Sequence, residues 1–206
     1  MIRPPRLRGA AFSSISEGDL RSYLGNRALF SEGLGISSRW ATLHQVHGTR
    51  VVEATQPGEQ GDADAMYTVM ARLPLAVFVA DCVPVVIEGE GIVGVAHAGW
   101  RGLAAGVVAL LRESMEASGR GLLRGAIGPS IGACCYQVGE EVLERFPGFE
   151  AATTGGAPSI DLRAAAVAQL DGMEIEIIDL CTYHQGQFSH RRDGTSDRLA
   201  AVAWVP

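Results

Sequence analysis

Two residues near the middle of the chain, Cys82 and His97, carry side chains that bind metals, and both stand at the ends of apolar segments. Cys82 follows the run LAVFVA, and His97 closes a second apolar run that begins at Ile92. Thiolate and imidazole are ligands that zinc and copper accept. Because the ends of neighbouring strands lie close together, we expect both side chains to enter one site.

A third donor is expected from the pair His44 and His47, which are three residues apart. The surrounding sequence, WATLHQVHGTRVVEA, is rich in β-branched residues and predicts a strand, a turn and a second strand. Residues three apart on a strand point to opposite faces, so one member of the pair at most faces a given site. His47 precedes Gly48 at the turn. We therefore expect His47 to join the site and His44 to face the other way.

One cysteine and two histidines favour zinc over copper. They leave one position of a tetrahedral zinc for a water molecule, whose acidity then approaches neutrality. The same donors suit copper, but a blue-copper centre also needs a weak axial methionine, and neither Met66 nor Met70 has a clear relation to the cluster. A multicopper oxidase needs more imidazoles than the five histidines of this chain. The predicted cofactor is Zn²⁺.

Charged residues beside these donors are candidates for substrate binding. Arg101 lies between two glycines in GWRG, where a helical pattern begins, so it predicts an anion site; a surface salt bridge is the alternative. Arg191 and Arg192 follow in SHRRDG, and we expect one to reach the site and the other to be structural. Asp81 is a candidate general acid or base, although on a regular strand it would point away from Cys82.

The three remaining cysteines are predicted to be structural. Cys134 and Cys135 are adjacent, and a disulfide between neighbours would require a strained ring. Cys181 lacks a partner at a typical ligand spacing. We interpret all three as packing residues, and the scarcity of pairable cysteines argues against a disulfide framework.

Apolar periodicity and turn residues indicate the elements that position the candidate site. Two strands around the loop EGEG predict a hairpin, and the stretch from Leu103 to Ser118 predicts one helix that stops at Gly119. Residues 57–61 are predicted to form a turn or loop. Strands outnumber helices and helices intervene between them, so the fold class is mixed α/β, in a single domain over residues 1–206.

Composition narrows the possible partners. The chain has 206 residues, of which 47% are hydrophobic and 19% charged, as expected for a globular protein. Its net charge of −6 provides no global positive field for nucleic acid. All 17 basic residues are arginine, which excludes Schiff-base chemistry by lysine. The N-terminus shows no apolar signal segment and no apolar run reaches 18 residues, so we expect a cytoplasmic protein without a membrane span.

Six segments together resemble the YfiH/laccase-domain family, formerly called polyphenol oxidases, which includes the peptidoglycan editing factor. They are QVHG (45–48), ADCVPV (80–85), AHAGWRG (96–102), IGPSIGACCYQVG (127–139), CTYH (181–184) and FSHRRDGTSDRLAAVAW (188–204). The pairing of ADCVPV with AHAGWRG is the most specific part. The resemblance covers roughly residues 40 to 206, in the family's order.

The resemblance implies a compact α/β fold in which mixed β-sheets are flanked by helices. It also implies that the histidine of QVHG, the cysteine of ADC and the histidine of AHAG hold zinc, which places the ligands at His47, Cys82 and His97. Members of this family are described as acting on purine nucleosides, by phosphorolysis of adenosine, inosine or methylthioadenosine and by adenosine deamination. The implied substrates are a purine nucleoside and phosphate. For phosphorolysis we expect Arg101 and Arg191 to bind phosphate or ribose oxygens.

Three other functions stay open on the sequence. Cys82 and His97 could form the nucleophile and base of a hydrolase or amidase that edits peptidoglycan precursors. The family name also allows a laccase-like polyphenol oxidase. Finally, zinc could be purely structural in a non-catalytic binding module. The sequence does not indicate an oligomeric state.

Overall fold

Strands dominate the structure, a computed structural model that describes the backbone of residues 1–206 and all side chains except those of residues 122 and 123. The strands are β1 (Ala10–Phe12), β2 (Ala41–His44), β3 (Val51–Glu53), β4 (Gly58–Asp62), β5 (Ala65–Thr68), β6 (Leu75–Val79), β7 (Val83–Gly89), β8 (Ile92–Ala98), β9 (Leu122–Ile127), β10 (Glu150–Ala152), β11 (Pro158–Ile160), β12 (Glu174–Ile177) and β13 (Leu199–Ala203). The helices are α1 (Leu24–Leu34), α2 (Trp100–Ala104), α3 (Val107–Glu116), α4 (Glu140–Leu143), α5 (Leu162–Ala168) and α6 (His190–Asp193).

The strands form two larger mixed sheets and one short hairpin. The five-stranded sheet has the order β1-β13-β6-β2-β4, the six-stranded sheet has the order β12-β9-β7-β8-β5-β3, and β10 pairs with β11. Both larger sheets contain parallel and antiparallel pairs. The hairpin β7–β8 lies at the centre of the six-stranded sheet, and every residue of its two strands is buried.

Three hydrophobic clusters show how the sheets and helices stack. One cluster fills the space between the two sheets and includes Phe12, Val77 and Val95. Helices α3 and α5 cover the other face of the six-stranded sheet, where Leu111 and Ala166 are fully buried. Helix α1 covers the outer face of the five-stranded sheet, where Phe30 contacts Trp40 edge to face. The predicted mixed α/β fold with helices flanking the sheets is confirmed.

Strands β2 and β3 confirm the predicted strand, turn and strand, but they do not pair with each other. Strand β2 lies in the five-stranded sheet and β3 in the six-stranded sheet. The connection that carries His47 therefore crosses from one sheet to the other. We call this connection, residues 45–50, the crossover loop.

Two predicted elements differ from the structure. The single helix predicted from Leu103 to Ser118 is divided into α2 and α3, because Gly106 adopts a left-handed conformation with φ of 87° that interrupts the helix. Within the segment 57–61, predicted to be a turn or loop, residues 58–61 belong to β4, which pairs in parallel with β2. The glycines of β4 hid its extended character, since glycine is rare in strands.

Among the described residues, no helix has the length and apolarity needed to cross a bilayer.

Candidate metal centre

The hairpin β7–β8 places Cys82 and His97 at the same end of the six-stranded sheet. Cys82 directly precedes β7, and His97 lies opposite Pro84 in the antiparallel register. Asp81 has a φ of 90°, a left-handed conformation that is uncommon for a residue with a side chain. This bend ends the path of the chain from β6 and directs the Cys82 thiol toward His97.

His47 comes to the same place from the crossover loop. Its φ of 61° is again left-handed, so the loop turns sharply where the ligand is presented. The Nε2 atom of His47 lies 3.9 Å from Sγ of Cys82, and the rings of His47 and His97 meet edge to face with centroids 4.7 Å apart. One donor atom from each of the three residues lies within 4.8 Å of the others. The structure thus brings together all three residues predicted to bind the metal.

The carboxylate of Asp64 holds two of these donors and was missed by the sequence analysis. Asp64 is fully buried and accepts hydrogen bonds from Nδ1 of His97 at 2.7 Å and from the backbone N–H groups of His47 and Gly48 at 2.9 and 2.6 Å. A hydrogen bond at Nδ1 leaves Nε2 of His97 as the atom available to a metal. The sequence feature that could have pointed to Asp64 is the acidic segment DADA (residues 62–65), which leads into β5.

Gly99 leaves room for the three donors. A Cβ atom at this position would lie 2.6 Å from Cδ2 of His47 and 3.2 Å from Sγ of Cys82. The backbone of Gly99 is extended, with φ of −69°, so the requirement for glycine is close approach and not a special conformation. Any larger residue would displace the ligands.

Electrostatic interactions within the cluster favour a thiolate on Cys82 and a protonated imidazole on His97. Burial opposes the charge on Cys82, yet the neighbouring His97 and His47 lower its pKa to about 6. Burial likewise opposes the charge on His97, while Cys82 and Asp64 raise its pKa to about 9. Burial also acts to raise the pKa of Asp64, but hydrogen bonds from His97 and the loop amides hold it below its usual value.

Two lobes of one cleft meet at the cluster, and His47 and Cys82 belong to both. The first, which we call the arginine lobe, contains cationic and polar side chains: Arg21, Gln45, His190 and Arg198. The second, the aromatic lobe, is lined by Trp100, Arg101, Ile131, Tyr136 and Leu162, with Asp81 at its inner end. The arginine lobe was not predicted, because its members come from distant parts of the sequence.

Arg101 and Arg191, the two predicted substrate contacts, both lie at aromatic rings. The Arg101 guanidinium lies 4.3 Å from the ring centroid of Trp100, in the aromatic lobe. Arg191 lies 5.2 Å from the ring of Tyr136 and donates to the carbonyl of Gln137. Both arginines are exposed; Arg101 lines the aromatic lobe, and Arg191 lies beside the Tyr136 ring of that lobe.

Arg192 is the structural partner that the sequence analysis anticipated. Its guanidinium donates to the backbone carbonyls of Thr182, Tyr183 and Gln187, which ties α6 to the segment that follows β12. Such carbonyl contacts fix a loop and leave the guanidinium engaged away from the cleft.

Asp81 is occupied by structural hydrogen bonds. One carboxylate oxygen accepts from Oγ1 of Thr182 at 2.6 Å and the other accepts from the backbone N–H of Arg191 at 2.7 Å. These bonds attach α6 to the bend before Cys82. The geometry indicates a positioning role in place of the suggested acid–base role.

The remaining histidine and cysteine candidates lie outside the His47, Cys82 and His97 cluster. His44 is exposed and pairs with Asp62 at 2.7 Å, so it faces away from the cluster as expected. Cys181, which has no partner at a typical ligand spacing in the sequence, has its Sγ 3.9 Å from Sγ of Cys134 in the fold. The fold brings these two cysteines together with Cys135 and His184.

The donor set at His47, Cys82 and His97 fits a metal ion. One thiolate and two imidazoles are suitable for zinc, the buried carboxylate of Asp64 orients one imidazole, and Gly99 keeps the space clear. Three protein donors leave one position of a tetrahedral ion open to the cleft, as in catalytic zinc sites. Copper accepts the same donors, so the geometry indicates a metal without selecting which.

Comparison with known proteins identifies similar sequences along nearly the whole chain. The model of a family described as multi-copper polyphenol oxidoreductase laccase matches residues 12–206. A purine nucleoside phosphorylase of Mycobacterium tuberculosis is 35% identical over 202 residues, which cover 91% of this chain and 81% of that protein. A purine nucleoside phosphorylase of Xylella fastidiosa is 37% identical over 236 residues, covering 98% of this chain and 88% of that protein.

Solved structures show the same fold. The hypothetical protein YfiH of Bacillus licheniformis superposes with a TM-score of 0.87 at 26% identity, over 96% of this chain and 92% of that one. YlmD of Geobacillus stearothermophilus gives a TM-score of 0.83 at 29% identity, over 98% and 94% of the two chains.

Proposed function

Because this chain belongs to the multi-copper polyphenol oxidoreductase laccase family, as its motifs indicated, we propose that it is a metal-dependent purine nucleoside phosphorylase. Relatives that match most of the chain carry that name. The observation that carries the proposal is the position of the His47, Cys82 and His97 cluster between an aromatic lobe and a cationic lobe. This arrangement suits one aromatic and one anionic substrate.

The aromatic lobe would take the nucleoside. Rings of Trp100 and Tyr136 offer stacking surfaces for a purine, with stacking worth about 1–3 kcal/mol per base. Arg101 and Arg191 would donate hydrogen bonds to ribose or phosphate oxygens. The candidate nucleosides are adenosine, inosine and methylthioadenosine, which share a purine and a ribose ring.

The arginine lobe would take phosphate. Arg21, Arg198 and His190 provide guanidinium and imidazole groups in this lobe, whereas Trp100 lines the aromatic lobe. Guanidinium groups bind phosphate oxygens through paired hydrogen bonds, which also orient the anion. A phosphate held there would face a nucleoside in the aromatic lobe across the cluster.

In phosphorolysis a phosphate oxygen forms a bond to C1′ of the ribose while the bond from C1′ to the purine nitrogen breaks. The purine leaves with that electron pair and takes up a proton, and the sugar becomes ribose 1-phosphate. When water replaces phosphate and attacks C6 of adenosine, the products are inosine and ammonia, which is the deamination that the same site would catalyse.

His47, Cys82 and His97 would hold Zn²⁺. When bound, zinc supplies Lewis acidity and lowers the pKa of a coordinated water toward neutrality. Asp64 keeps a proton on Nδ1 of His97 and so presents Nε2 to the site. Asp81 fixes the start of α6 and thereby the backbone of Arg191.

Chromatographic assay of adenosine with phosphate tests the proposal. The purified protein should release adenine and ribose 1-phosphate in equal amounts, and Cys82→Ala should lose this activity together with one equivalent of zinc. His44→Ala, which changes an exposed histidine outside the cluster, serves as the control and should keep both. Full zinc content in Cys82→Ala would reject the ligand assignment. Unchanged turnover after removal of zinc would reject the role of the metal.

A second candidate function is favoured by the line of residues Cys82, His97 and Asp64. A thiol of lowered pKa beside an imidazole, itself hydrogen-bonded to a buried carboxylate, is the arrangement of a cysteine hydrolase. Such an enzyme would cleave amides, including those of peptidoglycan precursors, without metal. Covalent labelling of Cys82 by a substrate-like electrophile, with activity that survives chelation, would favour this function over phosphorolysis.

A further inference from the structure

A second group of metal-binding side chains lies outside the candidate metal centre. Cys134 and Cys135 follow β9, whereas Cys181 and His184 follow β12. One donor atom from each of the four residues lies within 4.8 Å of the others. The mechanism proposed above uses none of them.

Four of the six donor–donor distances lie within about 0.3 Å of the edges of one coordination tetrahedron. Zinc–sulfur bonds of about 2.3 Å and a zinc–nitrogen bond of about 2.0 Å require sulfur–sulfur edges of about 3.8 Å and sulfur–nitrogen edges of about 3.5 Å. Sγ of Cys134 lies 3.5 Å from Sγ of Cys135 and 3.9 Å from Sγ of Cys181. Nδ1 of His184 lies 3.5 Å from Cys134 and 3.4 Å from Cys135.

The surroundings of the four donors suit bound thiolates. The backbone N–H of Gly132 donates to Sγ of Cys181 at 3.2 Å, and a Cβ atom on Gly132 would lie 3.2 Å from Sγ of Cys134. The guanidinium of Arg163 lines the same cavity. Three thiolates carry more negative charge than one divalent ion neutralises, so the occupied site would be anionic. Hydrogen bonds to the ligand atoms and a nearby positive charge would stabilise it.

We propose that Cys134, Cys135, Cys181 and His184 form a second zinc site, closed by four protein ligands. Four protein ligands leave no position for water or substrate, so this zinc is structural. It would join the turn at residues 132–136 to the turn at residues 181–184. The first turn carries Tyr136, whose ring lines the aromatic lobe, so the second zinc supports one wall of the candidate active site.

Metal titration of the full-length Cys82→Ala variant isolates this site, since its remaining three cysteines all belong to the second group. The reduced, metal-free protein should bind one equivalent of Zn²⁺, which protects all three thiols from a thiol reagent and raises the melting temperature. Co²⁺ should give intense thiolate-to-metal absorption. Binding of no metal, or three thiols that react equally with and without zinc, overturns the proposal.

Substitutions at the exposed His184 test the ligand set without disturbing the core. In the Cys82→Ala background, His184→Ala should weaken zinc binding at least ~10-fold, since removal of residues that merely support a ligand already costs 10–100-fold. His184→Cys should retain tight binding because a thiolate replaces the imidazole. His44→Ala should behave like the parent. Equal zinc affinity in His184→Ala and the parent would reject His184 as a ligand.

Discussion

The buried carboxylate of Asp64 accepts a hydrogen bond from Nδ1 of His97 at 2.7 Å and joins two candidate ligands that lie fifty residues apart in the chain. The same carboxylate receives the N–H groups of the crossover loop at His47 and Gly48. One side chain therefore sets both the tautomer of His97 and the position of His47.

Asp64→Asn is expected to weaken metal binding ~10–100-fold, because the amide provides a poorer partner for Nδ1 of His97 and for the loop amides. Replacing the buried carboxylate should also destabilise the protein by about 1–3 kcal/mol. Competition with a chelator measures the first effect and chemical denaturation the second. Asp62→Asn, at an exposed site two residues away, is the control and should change neither.

Gly99→Ala should remove metal binding at the candidate centre, because the added Cβ would lie 2.6 Å from the His47 ring. Gly139 is a matched control, since it precedes helix α4 as Gly99 precedes α2 and its backbone is also extended. Among the described residues, no atom beyond its chain neighbours lies within 4 Å of the place that a Cβ on Gly139 would take. Zinc content and phosphorolysis should fall in Gly99→Ala and stay unchanged in Gly139→Ala. Normal zinc content in Gly99→Ala would show that the cluster tolerates a displaced His47.

Alkylation of Cys82 in the metal-free protein should follow a pH midpoint near 6, far below the ordinary thiol value of 9. The thiolate is the reactive form, so the rate rises as pH increases through the pKa. Mass spectrometry of the modified residue distinguishes Cys82 from the other cysteines. In His97→Gln the midpoint should move upward, since the main lowering charge is lost. Equal midpoints in both proteins would contradict the thiolate–imidazolium pairing.

Kinetics of two arginine variants should separate the lobes. Arg21→Gln should raise KM for phosphate by at least about 10-fold, because one charge-assisted hydrogen bond contributes about 1.5–3 kcal/mol. Arg101→Gln should instead raise KM mainly for the nucleoside. Arg39→Gln, a change at an exposed arginine outside both lobes, should leave both constants as in the parent. If Arg21→Gln changes neither constant, the arginine lobe does not bind phosphate.

The candidate metal-binding residues could be predicted from the sequence, because metal-binding side chains occur there at the ends of recognisable strands. His47, Cys82 and His97 stand next to a turn or at strand ends, and the apolar runs that carry them were visible directly. The role of Asp64 was hidden, because one carboxylate in an acidic segment gives no sign of which distant groups it will meet. The same reason explains Cys181, because Cys134 and Cys135 lie 47 and 46 residues before it and become its neighbours only when β9 and β12 pair in parallel.

Helix boundaries show a different limit. Apolar spacing predicted one helix from Leu103 to Ser118, and that spacing continues through Gly106. The left-handed backbone at Gly106 interrupts this stretch, so that α2 ends at Ala104 and α3 begins at Val107. The apolar spacing indicates which residues are buried. It does not show where the helix is interrupted, because that depends on the backbone conformation of Gly106 alone.

The crossover loop gives the candidate metal centre a mechanical role. His47 leaves the five-stranded sheet while Cys82 and His97 are fixed to the central hairpin of the six-stranded sheet. An ion held by all three would fasten one sheet to the other. Binding of the ion and docking of the two sheets are thermodynamically coupled. The free energy by which the ion stabilises the docked sheets therefore equals the free energy by which docking strengthens binding of the ion. A substitution that weakens packing between the two sheets should therefore also lower the affinity for the metal.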